Sequence, residues 1–257
     1  MNIENLKITP FDDRRELLIP GDQNATLDVC IRHFISACRE AVEDHGQFYV
    51  ALAGGSTPKA LYEHISASPY KEQIPWDKIW LFWGDERSVP PEDEESNYKM
   101  ALEAGLGNMP IPKSQILRMK AEESIEENAL EYEKQLQKIL NGRPLDLVIL
   151  GMGEDGHTAS LFPQTEALNA QDRLAVANFV PQKNTWRMTL TYEAINGAKN
   201  IAIYVLGAGK KHTLVEVLKS EDQFDRYPIQ KIGTKERPAL WIIDEAAAAE
   251  LLSQKQH

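Results

Sequence analysis

Residues Gly151-Met-Gly-Glu-Asp155-Gly-His157 follow the apolar run 147–150, so a carboxylate and an imidazole two positions apart arrive together at the end of a strand-like segment. An imidazole titrates near neutral pH, and the glycines around it let a substrate approach closely. His157 is therefore a candidate general base, with Asp155 placed to orient either the ring or an attacking water. The spacing leaves both roles for Asp155 open. The competing reading is a left-handed glycine turn whose histidine caps a following helix, with Ser160 in that helix's first turn.

Three other segments end in the same way. Phe48-Tyr-Val-Ala-Leu-Ala runs into Gly54-Gly55-Ser56-Thr57-Pro58. Hydroxyl residues there suit the N-cap, and the proline suits the first helical turn. Free backbone N–H groups and the helix dipole make this a candidate phosphate cradle. It lacks the terminal Gly-Lys-Ser/Thr of a Walker A loop, so a nucleoside triphosphate is not implied. Ile79-Trp-Leu-Phe-Trp83-Gly84 delivers Asp85, Glu86 and Arg87 together. These serve either catalysis and substrate recognition or a solvated turn with a local ion pair. Ile201-Ala-Ile-Tyr-Val-Leu ends at Gly207-Ala-Gly209-Lys210, where an ammonium can reach an anion held by the first cradle.

The elements that position these residues show as strand-like runs at 48–53, 79–83, 145–150, 201–206 and 239–243, separated by helical or mixed segments. The alternation predicts an α/β fold: a mostly parallel, doubly wound, Rossmann-like sheet with helices on both faces. Ligands of such sheets lie at the carboxyl edge of the strands. A small additional strand region is expected at 174–180 and 185–192. In the second of these, Trp186, Met188, Leu190 and Tyr192 alternate with Arg187, Thr189 and Thr191, which turns Arg187 toward a polar side. The acids of segment 122–134 read as the solvated face of a helix, and residues 246–249 as plain helix propensity.

The 257 residues are expected to form a single domain spanning 1–257. A net charge of −11 argues against nucleic acid or an anionic membrane as partner, so an anionic substrate must be met by local cations such as Arg87, Arg187 and Lys210. Cys30 and Cys38 lie at helical spacing with Leu27, Ile31, Phe34, Ile35 and Val42. Eight residues of helix rise about 12 Å, too far for a disulfide. Residues 1–4 show no signal-peptide pattern and no apolar run spans a bilayer, so a cytoplasmic protein is expected. No Cys/His cluster has ligand spacing, and neither a metal nor another cofactor is expected.

Taken together, Ala53-Gly-Gly-Ser-Thr-Pro58, Trp83-Gly-Asp-Glu-Arg-Ser-Val-Pro90, Ser96-Asn-Tyr98, Gly151 through Pro163, Arg187-Met-Thr-Leu-Thr191 and Trp241-Ile-Ile-Asp244-Glu-Ala-Ala resemble the 6-phosphogluconolactonase family over about residues 40 to 250. That family belongs with the sugar-phosphate isomerases and deaminases. The resemblance implies hydrolysis of 6-phospho-D-glucono-1,5-lactone to 6-phospho-D-gluconate in the oxidative pentose phosphate pathway, by water that His157 activates. It implies catalytic roles for His157, Asp155 and Asp85. Gly55, Ser56 and Thr57 would hold the phosphate with Arg187 and Lys210, while Asp85 and Arg87 face the sugar ring or the phosphate. Gly54 and Gly153 complete the substrate-binding set. A covalent serine mechanism is disfavoured, because no Gly-x-Ser-x-Gly elbow occurs and Ser56 suits a phosphate ligand or cap. The rival enzyme reading is an amino-sugar-6-phosphate deaminase or isomerase, against which Ser160-Leu-Phe-Pro163 replaces the Asn-Glu-Pro of such enzymes. The rival from another class is a non-catalytic sugar-phosphate sensor. The partner expected is a small phosphorylated sugar lactone, with a monomer favoured.

Overall fold

The computed structural model describes residues 7–253. Residues 1–4, read above for a leader, lie outside the described residues. Strands β1 (Thr9–Pro10), β2 (Arg15–Leu18), β3 (Phe48–Leu52), β4 (Ile79–Trp83), β6 (Leu147–Gly151), β9 (Asn200–Val205) and β10 (Ala239–Ile243) form a seven-stranded sheet in the order β1-β2-β10-β9-β6-β3-β4. All its pairings are parallel except β1 with β2. Every residue of β3 is buried, as are 147–150 of β6, which explains why these strands read as unbroken apolar runs and not as alternation.

The main helices are α1 (Gln23–His45), α2 (Ser56–Ile65), α3 (Asn97–Glu103), α4 (Ile125–Leu140), α5 (Tyr192–Asn196), α6 (Lys211–Lys219) and α7 (Glu245–Ser253). They flank the sheet as the alternation predicts. Cys30 and Cys38 are buried in α1, and burial pushes both thiols up, Cys38 to about 12. Among the described residues no helix is long and apolar enough to cross a membrane.

A second, three-stranded antiparallel sheet runs β5 (Asp85–Arg87), β8 (Thr185–Leu190), β7 (Ala175–Val180). Its β5 corrects the reading of 85–87 as a solvated turn. Those residues form a strand, with Asp85 and Glu86 buried. Three residues carry no period of their own, and they are extended because β8 supplies the ladder. Strand β8 also stops short of the expected 192: Thr191 caps α5, accepting from the Ala194 N–H at 3.4 Å, and Tyr192 opens that helix. On α4 the solvated-face reading fails at Glu133. This buried carboxylate accepts from Arg173 Nε at 2.6 Å and from the Leu174 N–H at 2.5 Å, and so secures the entry to β7.

Candidate functional site

The large sheet reverses its winding between β3 and β6, since β4 lies outside β3 while β9 and β10 extend beyond β6. Parallel strands part their following loops at such a point and leave a crevice at the carboxyl ends. The loops after β3, β6 and β9 all open there, and the small sheet roofs it. The result is a cavity of about 470 Å³, within the range that takes a small metabolite.

The loop after β6 does not lead into a helix. It folds back on itself: the Gly153 N–H donates to the His157 carbonyl at 2.9 Å, and Thr158 Oγ1 donates to the Gly151 carbonyl at 2.8 Å. Thr158 and Leu161 form an isolated bridge, and Ala159 adopts a φ of 48°. His157 therefore caps nothing, and Ser160 belongs to this loop. The His157 ring stacks on Phe162 with centroids 4.0 Å apart and planes 18° from parallel. Its Nδ1 is hydrogen-bonded to Asp155 Oδ1, which also accepts the His157 N–H at 3.1 Å. Partial burial pushes the Asp155 carboxyl up, but the hydrogen bonds and charge of His157 outweigh this and hold it below the usual carboxylate range. Engagement of Nδ1 leaves Nε2 as the ring nitrogen for other chemistry. His157 lines the cavity, and Asp155 does not. Gly153 is a steric necessity, because a Cβ there would lie 2.0 Å from His157 Nδ1.

After β3, Gly54 and Gly55 line the cavity. Gly55, at φ 100°, is itself the N-cap of α2, and no side chain caps the helix. Ser56 and Thr57 are thus the first two helical residues and stand beside the cavity, outside its wall. The N-cap expectation for them fails by one residue, since only glycine accepts this φ without strain. Tyr62 fixes the turn by accepting from the Ala53 N–H at 3.0 Å and donating to its carbonyl at 2.9 Å. A Cβ on Gly54 would meet Asn97 Oδ1 at 2.0 Å. Asn97, quoted in the sequence motif without a role, is the buried wedge between this loop and β5, donating to the Asp85 carbonyl at 3.0 Å.

On β5, Asp85 Oδ2 accepts from Ser160 Oγ at 2.7 Å and Oδ1 accepts from Asn97 Nδ2 at 3.2 Å. Glu86 points to the other face and does not pair with its neighbour's guanidinium. It accepts the N–H groups of Arg87, Asn97 and Tyr98, each at 2.8 Å, and the Ser96 hydroxyl at 3.0 Å. The N-terminus of α3 is thereby bound to β5. Burial pushes the Glu86 carboxyl up, against the pull of these donors.

The register sets Arg87 directly opposite Arg187, so two guanidiniums share the face that looks into the cavity. Arg87 Nη1 donates to the Glu95 carbonyl at 2.6 Å, yet the Nε of each arginine is buried with no partner. Burial and the facing Arg87 depress the pKa of Arg187, partly countered by Asp85, Glu95 and Glu86. Lys210 enters from the turn after β9, where the Gly207 N–H donates to Asp244 Oδ2 at 2.9 Å. Asp244 also accepts the Ala247 N–H at 2.8 Å, so one buried carboxylate caps α7 and fixes the lysine's turn.

Of the residues picked from the sequence, Gly54, Gly55, Asp85, Arg87, Gly153, His157, Arg187 and Lys210 meet in one cavity. Glu95, Phe162 and Lys183 line it as well and were not picked. Phe162 lies within a quoted motif, whereas nothing local marks Glu95 or Lys183. Among the described residues no group of three or more His, Cys, Asp or Glu side chains is arranged to hold a metal.

An α/β sheet with a histidine–carboxylate pair and a surplus of cations at its switch point is an arrangement suited to acid/base chemistry on a small anionic molecule. Sequence comparison narrows the class. The family model for glucosamine-6-phosphate isomerases/6-phosphogluconolactonase matches residues 21–241, and the chain belongs to that family. The chain is 41% identical to a 6-phosphogluconolactonase of Nostoc sp. over 240 residues, 90% of this chain and 95% of the relative. It is 38% identical to that of Chlamydia pneumoniae over 234 residues, 91% of this chain and 89% of the relative. The solved 6-phosphogluconolactonase of Trypanosoma cruzi superposes with a TM-score of 0.79 at 26% identity, covering 95% of this chain and 98% of that one.

Proposed function

We propose that this chain hydrolyses 6-phospho-D-glucono-1,5-lactone to 6-phospho-D-gluconate in the oxidative pentose phosphate pathway, with water activated by His157. The observation that carries the reading is one cavity holding both a carboxylate-oriented imidazole and two facing guanidiniums with unpartnered buried Nε atoms. Buried unpaired donors are costly, and a phosphate dianion supplies the missing acceptors. The uncapped start of α2 adds backbone donors to the same ligand.

In this reading Asp155 orients the ring, since its carboxylate engages Nδ1 and stays out of the cavity. His157 Nε2 takes a proton from water while the water oxygen bonds to the lactone C1. The tetrahedral intermediate then collapses, the bond from C1 to the ring oxygen breaks, and the imidazolium returns its proton to that oxygen. The resulting acid ionises to the product carboxylate. Ser160 is not the nucleophile in this reading, because its hydroxyl is buried and bonds Asp85, not the His157 imidazole that the mechanism uses as base. Asp85 is instead an acceptor in the cavity wall, available to a sugar hydroxyl.

The test is acid release from freshly generated 6-phosphogluconolactone, measured against spontaneous hydrolysis, with glucosamine 6-phosphate as second substrate. Rapid lactone turnover and no ammonia from the amino sugar are expected. Ammonia release would establish the deaminase reading, and binding without turnover would establish a sensor.

A further inference from the structure

Lys183 ends the short 3-10 turn Pro181–Lys183 at the tip of the β7–β8 hairpin, and Asn184 follows at φ 48° with its N–H on the Pro181 carbonyl at 3.1 Å. Gln182 ties this tip to the histidine loop, its Nε2 donating to the Pro163 carbonyl at 2.7 Å. The backbone on both sides of Lys183 is thus held, while its side chain lines the same cavity as His157 and Arg187. Among the described residues the Lys183 ammonium makes no ion pair and no hydrogen bond. The cavity wall sets Arg87, Lys183, Arg187 and Lys210 against Asp85 and Glu95, a formal excess of two positive charges in a chain of net charge −11. A phosphate monoester carries about −1.5 to −2 at neutral pH, and Lys183 completes the match.

We infer that Lys183 is a specificity residue for the substrate phosphate, drawing the dianion from solvent into the cleft where Arg87 and Arg187 hold it. This rests on the phosphorylated-lactone reading above. An exposed ammonium is screened, so it acts weakly on a reacting carbonyl and most strongly on the most highly charged group within about 8 Å, the Debye length at physiological salt. The buried guanidiniums act on contact. Lys183 therefore governs capture and leaves the chemical step to His157.

Lys183→Ala is expected to lower kcat/KM for 6-phosphogluconolactone about tenfold, or about 1.4 kcal/mol, through KM and with kcat kept within about twofold. Lys183→Arg restores most of the loss. Hydrolysis of unphosphorylated glucono-1,5-lactone changes by less than about twofold in either variant. Wild-type kcat/KM for the phosphorylated lactone falls as NaCl rises from about 0.05 to about 0.5 M, and the slope is shallower in Lys183→Ala. Equal losses on both lactones, a matched fall in kcat, or an unaltered salt slope would overturn the inference. Calorimetric titration with inorganic phosphate needs no turnover. It must show about tenfold weaker binding to a Lys183→Ala protein that melts like wild type. Equal phosphate affinity overturns the role of Lys183, whereas a wild type that binds phosphate and hydrolyses no lactone overturns the proposed function alone.

Discussion

At the scale of single residues, the proposed chemistry turns on the His157–Asp155 pair and on the glycine that leaves room for it. His157→Asn is expected to reduce turnover by roughly a hundredfold to ten-thousandfold, with affinity for 6-phosphogluconate nearly intact. Steady-state kinetics beside product titration reads this directly; near-normal turnover would remove the histidine from the mechanism. The Asp155 carboxyl stays ionised below the usual carboxylate range, so its charge persists wherever the enzyme is folded and mildly acidic. Gly153→Ala tests the geometry while leaving both the imidazole and the carboxylate in the chain. A Cβ would lie 2.0 Å from His157 Nδ1 and 2.8 Å from Asp155 Oδ1, so the ring must move. A displacement of about 1 Å costs on the order of a hundredfold in turnover. A variant that melts like wild type and keeps full activity would show that the ring's position is not critical.

At the scale of elements, the small sheet is the device that gathers charge. Strand β5 sits beside β8 in a register that opposes Asp85 to Thr189 and Arg87 to Arg187, and β7 places Asn178 against Arg187 on the same ladder. Asn178 in turn donates to the Ser160 carbonyl at 2.9 Å, locking the sheet onto the histidine loop. Two like charges on one face are destabilising until an anion arrives. Arg187→Ala is therefore expected to weaken the phosphorylated substrate by roughly 2 to 5 kcal/mol while affecting unphosphorylated lactone far less. Inorganic phosphate should raise the melting temperature of the wild type and leave that of Arg187→Ala nearly unmoved, since only a ligand of the folded state stabilises it. Equal losses for both lactones would remove Arg187 from phosphate binding.

At the scale of the whole molecule, one continuous core joins the large sheet to the inner residues of β7 and β8, including Ala175, Met188 and Leu190. Stability against acid carries a signature from this core. The His33 ring on α1, bonded to the Tyr204 hydroxyl at 3.2 Å, is pushed down by burial to about 4. The unfolded chain protonates its histidines near 6.5, so between about 6.5 and 4 it gains a proton that the folded protein refuses. Stability is complete above this window and falls as pH drops through it, by up to about 3 kcal/mol from His33 alone. Urea unfolding at about pH 7 and about pH 4.5 should show this loss in wild type and a smaller one in His33→Gln. An identical pH dependence in the two proteins would assign the acid sensitivity to the carboxylates.

What the sequence determined by itself was everything set by neighbours along the chain. Buried parallel strands must be apolar runs, their ends must turn, and the turns need glycine, so the strand ends at 54, 84, 151 and 207 and their order were legible without coordinates. The candidate pair of His157 and Asp155 was legible for the same reason, being two residues apart. What stayed open was set by contacts across long separations. Asp85 meets Ser160 across 75 residues, and Glu86 meets the start of α3. Arg87 faces Arg187 through a register that only packing chooses. That Asp155 bonds the His157 ring at Nδ1 is likewise a matter of how the loop folds, which the two-residue spacing leaves open. Local propensity knows nothing of such pairings, because an antiparallel register and a loop's fold are chosen by the surfaces buried against them.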